Sequence, residues 1–198
     1  PGSRARPPVQ TYNAGETSHV LAAHIYAAIQ SFCKQERASL FMLLLAAYQV
    51  LLQRYSQQEE VIVGVPFANR LDRESEALVG LFVNTLPLPA RFTPGMSFRE
   101  LLHQVRETVL DASSRQACPL SKIVEAVKPG RELGRKPISQ VMFNVRNVPS
   151  LPALFNGQPV TELHFPAGVI GFDLELEARE ENGTLGLLLR FNRDLFSA

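Results

Sequence analysis

An amide and a hydroxyl follow directly on an apolar run in the middle of the sequence. Residues 79–83 read Val-Gly-Leu-Phe-Val, which indicates a buried strand, and Asn84 and Thr85 come next. An unpaired buried polar group costs roughly 1–3 kcal/mol, so these two side chains either bond to neighbouring backbone or face a cavity. Backbone is the commoner partner, which favours the first alternative by about two to one. In the second, Asn84 and Thr85 would line a cavity or channel, and Gly80 would let a backbone come close.

Residues suited to acid–base, nucleophilic or metal chemistry are scattered. The sequence has four histidines, His19, His24, His103 and His164. No two of them are adjacent, and none has the spacing or the additional ligands of a metal site. Glu175 and Glu177, with Arg179 beside them, indicate a solvated and partly salt-bridged strand face rather than a catalytic carboxylate pair. We therefore predict no catalytic residue and no metal ligand in this chain.

Composition and charge narrow the classes of partner. The 198 residues are 45% hydrophobic and 20% charged, which is typical of one globular domain. Twenty basic and nineteen acidic residues are interspersed, so neither nucleic acid nor an anionic membrane is expected as a partner. The two cysteines, Cys33 and Cys118, favour free thiols in a reducing compartment. No export signal or membrane-spanning run is visible, and we expect a cytoplasmic protein.

Hydrophobic periodicity predicts alternating helices and strands, and hence an α/β fold. Helical spacing indicates helices over residues 22–35 and 40–55, then from Ser97 and from Pro119. Ser39 is the expected N-cap of the apolar second helix, and residues 97–100 form a capping box. Strands are expected over residues 16–21, 61–65, 79–85, 138–145 and 172–179, the last returning through a tight turn at Asn182-Gly183. Pro66 should end the second strand, and residues 67–77 should form an ordered loop.

Several motifs occur here in the order in which one family carries them. Residues 64–70 read Gly-Val-Pro-Phe-Ala-Asn-Arg, and residues 79–85 follow as Val-Gly-Leu-Phe-Val-Asn-Thr. Residues 115–121 and 131–138 are similar to two further motifs, H/N-Q-D-x-P-F-E and R-D-x-S-R-N-P-L. Because these motifs occur in this order, the sequence resembles the condensation domains of non-ribosomal peptide synthetases. The resemblance runs from about Pro7 to the last residue and covers only the second half of such a domain.

The resemblance implies a fold and a role for each segment of the chain. The fold would be one lobe of the chloramphenicol-acetyltransferase-like condensation fold, an α+β two-layer sandwich in which a mixed sheet has helices on one side. Residues 1–15 would be an inter-lobe linker and 16–198 the C-terminal subdomain, with a floor loop at about 66–79 and a latch at about 147–165. Residues 79–85 would line the substrate tunnel between the lobes, with Gly80, Asn84 and Thr85 as the substrate contacts. Asn69, Arg70, Arg135 and Pro137 belong to the matched motifs. Arg70 would either contact a phosphate or form a salt bridge with Asp72 or Glu74.

The resemblance also implies an activity that this lobe would share. Condensation domains join a donor acyl or peptidyl thioester to the amine of an acceptor aminoacyl thioester, both held on 4′-phosphopantetheine arms of carrier domains. Their H-H-x-x-x-D-G motif lies in the first lobe and has no match here. The expected partners are the N-terminal lobe, carrier domains and an adjacent adenylation domain. Two alternatives remain open: a non-catalytic docking module of the same fold, and an acyltransferase using a free acyl thioester.

Overall fold

Helices and a mixed six-stranded sheet are both present in the chain, which confirms the α/β class. The computed structural model describes residues 4–130, 132–146, 154–160, 163, 165, 168–181 and 183–197. The elements in chain order are β1 (Ala14–Leu21), α1 (Ala23–Glu36), α2 (Leu40–Ser56), β2 (Glu60–Phe67), α3 (Arg73–Glu76), β3 (Asn84–Arg91), α4 (Phe98–Ser114), α5 (Leu120–Val127), β4 (Val141–Arg146), β5 (Leu154–Phe155), β6 (Gln158–Pro159), β7 (Leu174–Glu181) and β8 (Thr184–Asn192).

Helix α2 lies at the centre of the core. The Ser39 hydroxyl accepts a hydrogen bond from the Met42 N–H and so caps the helix as the sequence predicts. Leu45 and Ala46 are 0% exposed, in agreement with an apolar helix that is enclosed on most sides. Within the described residues no single helix is long and apolar enough to cross a membrane. Helices α1 and α2 meet that test only as a pair, and the chain bends by 105° between them.

Six strands form one mixed sheet in the order β1-β8-β7-β4-β2-β3. Strand β4 is parallel to both β2 and β7, and the other neighbours are antiparallel. The β2–β4 ladder is short, with Gly64 opposite Met142. Beside it the buried Ser139 hydroxyl accepts from the Gly64 N–H at 3.0 Å and lies 3.1 Å from the Ile62 carbonyl. This side chain therefore supplies bonds across a junction where the backbone ladder supplies few.

Helices α1, α2 and α4 pack on one face of the sheet. The core between them includes alternate residues of the strands, such as Val63 in β2, Leu88 in β3 and Phe143 in β4, each at most 1% exposed. Because side chains alternate along a strand, the intervening residues lie on the opposite face. The described residues form no helix there, and we call it the helix-free face. Strands β7 and β8 show the alternation predicted for residues 172–179 and their return strand, and Gly183 has the positive φ of a tight turn.

Prolines stand inside two strands at one edge of the sheet. Pro87 and Pro89 lie in the edge strand β3, opposite Gly64 and Ile62. Pro66 lies within β2 opposite Thr85, so the prediction that Pro66 ends this strand was wrong. A proline is tolerated there because the β2–β4 ladder stops at Gly64, and no neighbour on that side requires the missing N–H.

The two later helices differ in how far they are buried. In α4 the predicted capping box is present, with Ser97 and Glu100 bonded to each other's backbone N–H, and Leu101, Leu102 and Val105 are buried. Helix α5 begins after Pro119, which is its N-cap rather than its first residue. None of the α5 side chains is buried, so its apolar stripe packs only partly on the rest of the chain.

The N-terminal arm, residues 4–13, is anchored along the rest of the chain. The Arg6 guanidinium pairs with both carboxylate oxygens of Asp173, which is 7% exposed, and donates to the Gly134 carbonyl at 2.9 Å. A Cβ at Gly134 would lie 2.9 Å from the Pro7 carbonyl oxygen, so the arm passes where only glycine leaves room. The expectation that residues 1–15 form an inter-lobe linker stays a prediction.

Candidate functional site

A long loop, residues 68–83, joins the antiparallel strands β2 and β3. The loop closes at the pair Phe67 and Asn84, the last ladder pair between the two strands. The prediction of a buried strand over residues 79–85 was wrong, since residues 77–83 form no strand and β3 begins only at Asn84. Val79 is 105% exposed and Leu81 is 95% exposed. The apolar run therefore contributes to the surface of this chain and not to its core.

Asn84 bonds to backbone on the connection between α4 and α5. Its Nδ2 donates to the carbonyls of Gln116 at 2.9 Å and Cys118 at 2.7 Å. Its Oδ1 accepts from the Leu120 N–H at 3.2 Å, at the first residue of α5. Three of the four hydrogen bonds available to an asparagine side chain are thus made to backbone. Of the two alternatives that the sequence leaves open for Asn84, the structure supports backbone pairing.

Gln116 extends this network to the other side of the loop. Its Oε1 accepts from the Asn69 N–H at 3.2 Å, and its Nε2 donates to the Ser113 carbonyl at 3.1 Å near the end of α4. Asn69 has φ of 51°, a left-handed conformation that asparagine tolerates better than most residues. The sequence gives one signal for Gln116, its place in the motif of residues 115–121, but no reason to single it out there.

Arg70 holds the inside of the loop together. Its guanidinium lies 4.2 Å from the centroid of the Phe82 ring, and its Nη1 donates to the Ser75 carbonyl. Such a cation over an aromatic face contributes about 0.5–1 kcal/mol at an exposed site. The predicted alternative of a salt bridge to Asp72 or Glu74 is not seen among the described contacts of Arg70. Arg70 and Phe82 therefore link the two halves of the loop.

Gly80 and Thr85 occupy different surroundings, although the sequence offers both as substrate contacts. A Cβ at Gly80 would come within 3.1 Å of the Phe82 ring, which supplies the three nearest atoms. Thr85 lies on the helix-free face, where its methyl group is 3.4 Å from the position of a Cβ at Gly64. Contact of Gly80, Asn84 or Thr85 with a substrate stays a prediction.

A groove of about 650 Å³ lies between α5 and the segment that follows it. Val124, Pro129 and Leu133 give it apolar walls, and Leu133 is 83% exposed. Arg135 and Pro137 also line the groove. Arg135 pairs locally with Glu132 at 3.2 Å, and both side chains are more than half exposed. The motif of residues 131–138 therefore forms a groove wall, while Arg131 itself lies outside the described residues.

Carboxylates and one arginine cluster on the helix-free face of β1, β8 and β7. The Arg190 guanidinium lies 3.7 Å from the Glu177 carboxylate and 3.9 Å from that of Glu16. In the β7–β8 ladder Arg190 is paired with Glu175. Burial raises the pKa of the Glu175 carboxyl, while Arg190, two backbone N–H groups and Lys136 act in the opposite direction. The cluster confirms a partly salt-bridged face at Glu175 and Glu177, although Glu175 is less solvated than predicted.

The raised pKa of Glu175 gives a testable pH dependence. A carboxyl whose pKa is higher in the folded state than in the unfolded state makes the protein less stable as the pH rises. The loss occurs between the ordinary pKa of the group and its pKa in the folded state. We therefore expect Glu175→Gln to be more stable than the wild type at pH 7, with the difference vanishing towards pH 4. Urea unfolding across this range measures it. Glu177→Gln, which removes a partner of Arg190, should show no such gain, and an equal gain would contradict the assignment.

Other sequence predictions fall partly outside the described residues. His164 and residues 147–153 and 161–162 of the latch region are not described, and neither is Asn182. Residues 154–159 form a two-stranded hairpin, β5–β6, that is separate from the six-stranded sheet within the described residues. Among the described residues no three His, Cys, Asp or Glu side chains form a metal-binding group.

Comparison with known sequences identifies the family and relatives of this chain. A family model described as Condensation domain matches residues 1–198. One of the linear gramicidin synthase proteins of Brevibacillus parabrevis is 38% identical over 200 residues, which is 100% of this chain and 4% of that protein. The chain thus corresponds to a small part of this curated relative.

Solved structures agree with the sequence comparison. The chain superposes on a four-domain nonribosomal peptide synthetase bound to AMP and glycine with a TM-score of 0.90 and 26% identity, over 100% of this chain and 16% of that one. It superposes on the X-domain from teicoplanin biosynthesis with a TM-score of 0.86 and 26% identity, over 100% of this chain and 46% of that one. The mixed sheet with helices on one side is confirmed as the condensation, chloramphenicol-acetyltransferase-like fold.

Proposed function

The chain belongs to the condensation domain family, and from this we propose that it is the C-terminal lobe of a non-ribosomal peptide synthetase condensation domain. In this role it helps to form the amide bond between a donor acyl or peptidyl thioester and an acceptor aminoacyl thioester. The lobe supplies a tunnel wall, the floor loop and the latch, and it lacks the catalytic histidine motif. By itself it is inactive.

The exposed loop between β2 and β3 is the observation that carries the proposal. Leu71, Leu78, Val79, Leu81 and Val83 are all more than half exposed, within one segment of 13 residues. A single exposed leucine is ordinary, but an apolar cluster of this kind usually marks an interaction surface. A second lobe packed against this loop would cover the cluster and would place Asn84 and Thr85 close to the boundary between the lobes.

The length comparison and the helix-free face support the same arrangement. The chain covers 46% of the teicoplanin X-domain chain, which leaves room in a domain of that size for a second unit of similar length. The half-buried charges Glu16, Glu177 and Arg190 lie on the helix-free face of the described sheet. A tunnel between two lobes needs such a surface, partly polar and not filled by its own helices.

The partners follow from the proposed reaction. Carrier domains would present both substrates on 4′-phosphopantetheine arms, and this lobe would bind no cofactor of its own. An adjacent adenylation domain would load the acceptor carrier. We expect the whole assembly to work in the cytoplasm, with neither nucleic acid nor a membrane as partner.

Reconstitution with the missing lobe tests the proposal. The lobe encoded directly upstream in the same reading frame would be purified and mixed with this chain, together with the two neighbouring carrier proteins loaded with their own aminoacyl groups. We expect an amide product, detected by mass spectrometry of the acceptor carrier, only when both lobes are present. Absence of product from well-folded lobes that bind each other would overturn the proposal.

The two alternative functions give different outcomes in the same assay. A docking module would bind the loaded carriers and form no product with the upstream lobe. An acyltransferase of this fold would instead acylate a small amine or alcohol from a free acyl thioester without any carrier. Each result replaces the proposed function by a named alternative.

A matched pair of variants tests the role of the loop. Leu81→Arg places a charge in the proposed contact and should weaken binding to the upstream lobe at least tenfold, about 1.4 kcal/mol, in isothermal titration calorimetry. Leu110, which is 48% exposed on α4, serves as the control, and Leu110→Arg should leave binding unchanged. Equal affinities for the two variants would exclude this loop from the lobe interface.

A further inference from the structure

Two side-chain amides join three segments that are distant along the chain. Asn84 lies at the start of β3, Gln116 lies between α4 and α5, and Asn69 lies at the start of the 68–83 loop. Asn84 bonds to the backbone of Gln116, and Gln116 bonds through its side chain to the backbone of Asn69. The two ends of the loop are therefore both tied to the same connection between helices.

Among the described residues, no other hydrogen bond or ion pair joins the loop to the rest of the chain. Beyond the pair Phe67 and Asn84 the ladder between β2 and β3 ends, and the internal contacts of the loop, such as Arg70 with Phe82, do not connect it to the rest of the lobe. A flexible connection of this length has many accessible conformations. The Gln116 bond to the Asn69 N–H and the Asn84 bonds to backbone restrict that freedom at both ends of the loop.

Helix α5 depends on the same contacts. None of its side chains is buried, so packing alone holds it weakly. Its first residue, Leu120, donates its N–H to Asn84 Oδ1 at 3.2 Å, and the preceding Cys118 carbonyl accepts from Asn84 Nδ2. Helix α5 forms one wall of the 650 Å³ groove. The contacts of Asn84, the first residue of β3, therefore fix the position of that wall.

From these contacts we propose that Gln116 is a positioning residue which, with Asn84, locks the 68–83 loop and helix α5 into one unit. The position of the loop relative to the groove beside α5 is then fixed. A displacement of either is transmitted to the other through the side-chain amides of Asn84 and Gln116. The inference does not depend on the proposed reaction. It assigns to Asn84 a positioning role, since three of its hydrogen-bonding sites are used on backbone.

Hydrogen exchange of the 198-residue chain tests the coupling. Gln116→Met keeps the length of the side chain and removes both of its hydrogen bonds. We expect amide exchange to accelerate about tenfold in residues 69–77 and in residues 120–127 together, since one hydrogen bond is typically worth that factor. Exchange in β4 and in the first half of α4 should not change.

Gln104 provides the matched control on the neighbouring helix α4. Its side chain also makes two bonds, accepting from the Arg91 N–H at 2.8 Å and donating to the Arg91 carbonyl at 3.3 Å. Gln104→Met should accelerate exchange around residue 91 and leave the loop and α5 unaffected. Acceleration of the loop and α5 in this variant as well would overturn the proposal, because loss of any such amide would then loosen them.

A conservative variant separates positioning from general stability. Gln116→Glu keeps the acceptor for the Asn69 N–H and loses the donor to Ser113, so it should restore protection of residues 69–77. The proposal is overturned if Gln116→Met accelerates exchange in only one of the two segments or in neither. It is equally overturned if exchange rises uniformly through the chain, β4 included, because that result reports global destabilisation.

Discussion

Replacing Phe143 by alanine is expected to lower the free energy of unfolding by about 3–5 kcal/mol, the cost typical of deleting a large side chain from a packed core. Phe143 is 0% exposed at the middle of β4. Its ring lies 5.4 Å from that of Phe41 and 6.1 Å from that of Tyr48, both on α2. The substitution therefore opens a cavity where the central helix meets the sheet, and the surrounding aromatic rings cannot fill it.

Equilibrium unfolding in urea measures this loss. The neighbouring Met142 is the control, because it lies on the helix-free face of the same strand and is only partly buried. Met142→Ala should cost clearly less than Phe143→Ala. Similar losses for the two variants would show that the helix-free face is packed as closely as the core, in conflict with the layer structure described above.

Arg6→Ala is expected to cost about 3 kcal/mol, since it leaves the carboxylate of Asp173 buried without its cation. The pair joins the N-terminal arm to the start of β7, and the side chains are 27% and 10% exposed. The partial exposure of Arg6 places the expected loss at the lower end of the range for buried pairs. Urea unfolding gives the value, and limited proteolysis of the arm gives an independent readout of its release.

Two further variants show whether the cost comes from the unpaired charge. Arg4→Ala removes a bond to the Arg193 carbonyl at an exposed site and should change stability little. The double variant Arg6→Met, Asp173→Leu removes both charges and should recover much of the loss, because an apolar pair carries no desolvation penalty. A double variant as unstable as Arg6→Ala would contradict the electrostatic explanation.

Features that depend on local sequence can be predicted well. Ser39 and Ser97 are recognisable as caps because the requirement for an N-cap acceptor is met within four residues of chain. The alternation in β7 and β8 identifies the buried and open faces because side chains of a strand alternate regardless of its neighbours. In each case the energetic reason is contained in the segment itself.

The apolar run at residues 79–83 shows where such reasoning fails. Its composition meets every criterion of a buried strand, yet Val79 and Leu81 are almost fully exposed. Apolar residues favour burial, but they do not say which other residues would cover them. The pattern of residues 79–83 is therefore compatible both with a core strand and with an exposed apolar loop.

Contacts between distant residues are also beyond the reach of sequence patterns. Arg6 and Asp173 are separated by 167 positions, and neither lies in a local pattern that identifies its partner. For Asn84 the sequence correctly favours backbone pairing, since that preference is general, but the identity of the acceptors on the α4–α5 connection depends on topology. The contact between Gln116 and Asn69 could not be predicted for the same reason.

The prolines of β3 have a consequence for how the protein behaves in a crowded solution. Pro87 and Pro89 have no N–H and so cannot donate to β2, which indicates that their carbonyls point outward. Over this stretch the free rim of the sheet has acceptors without alternating donors, and another extended chain cannot form a continuous ladder on it. During synthesis and refolding this edge is therefore protected against self-association through strands, independently of the solubility of the rest of the surface.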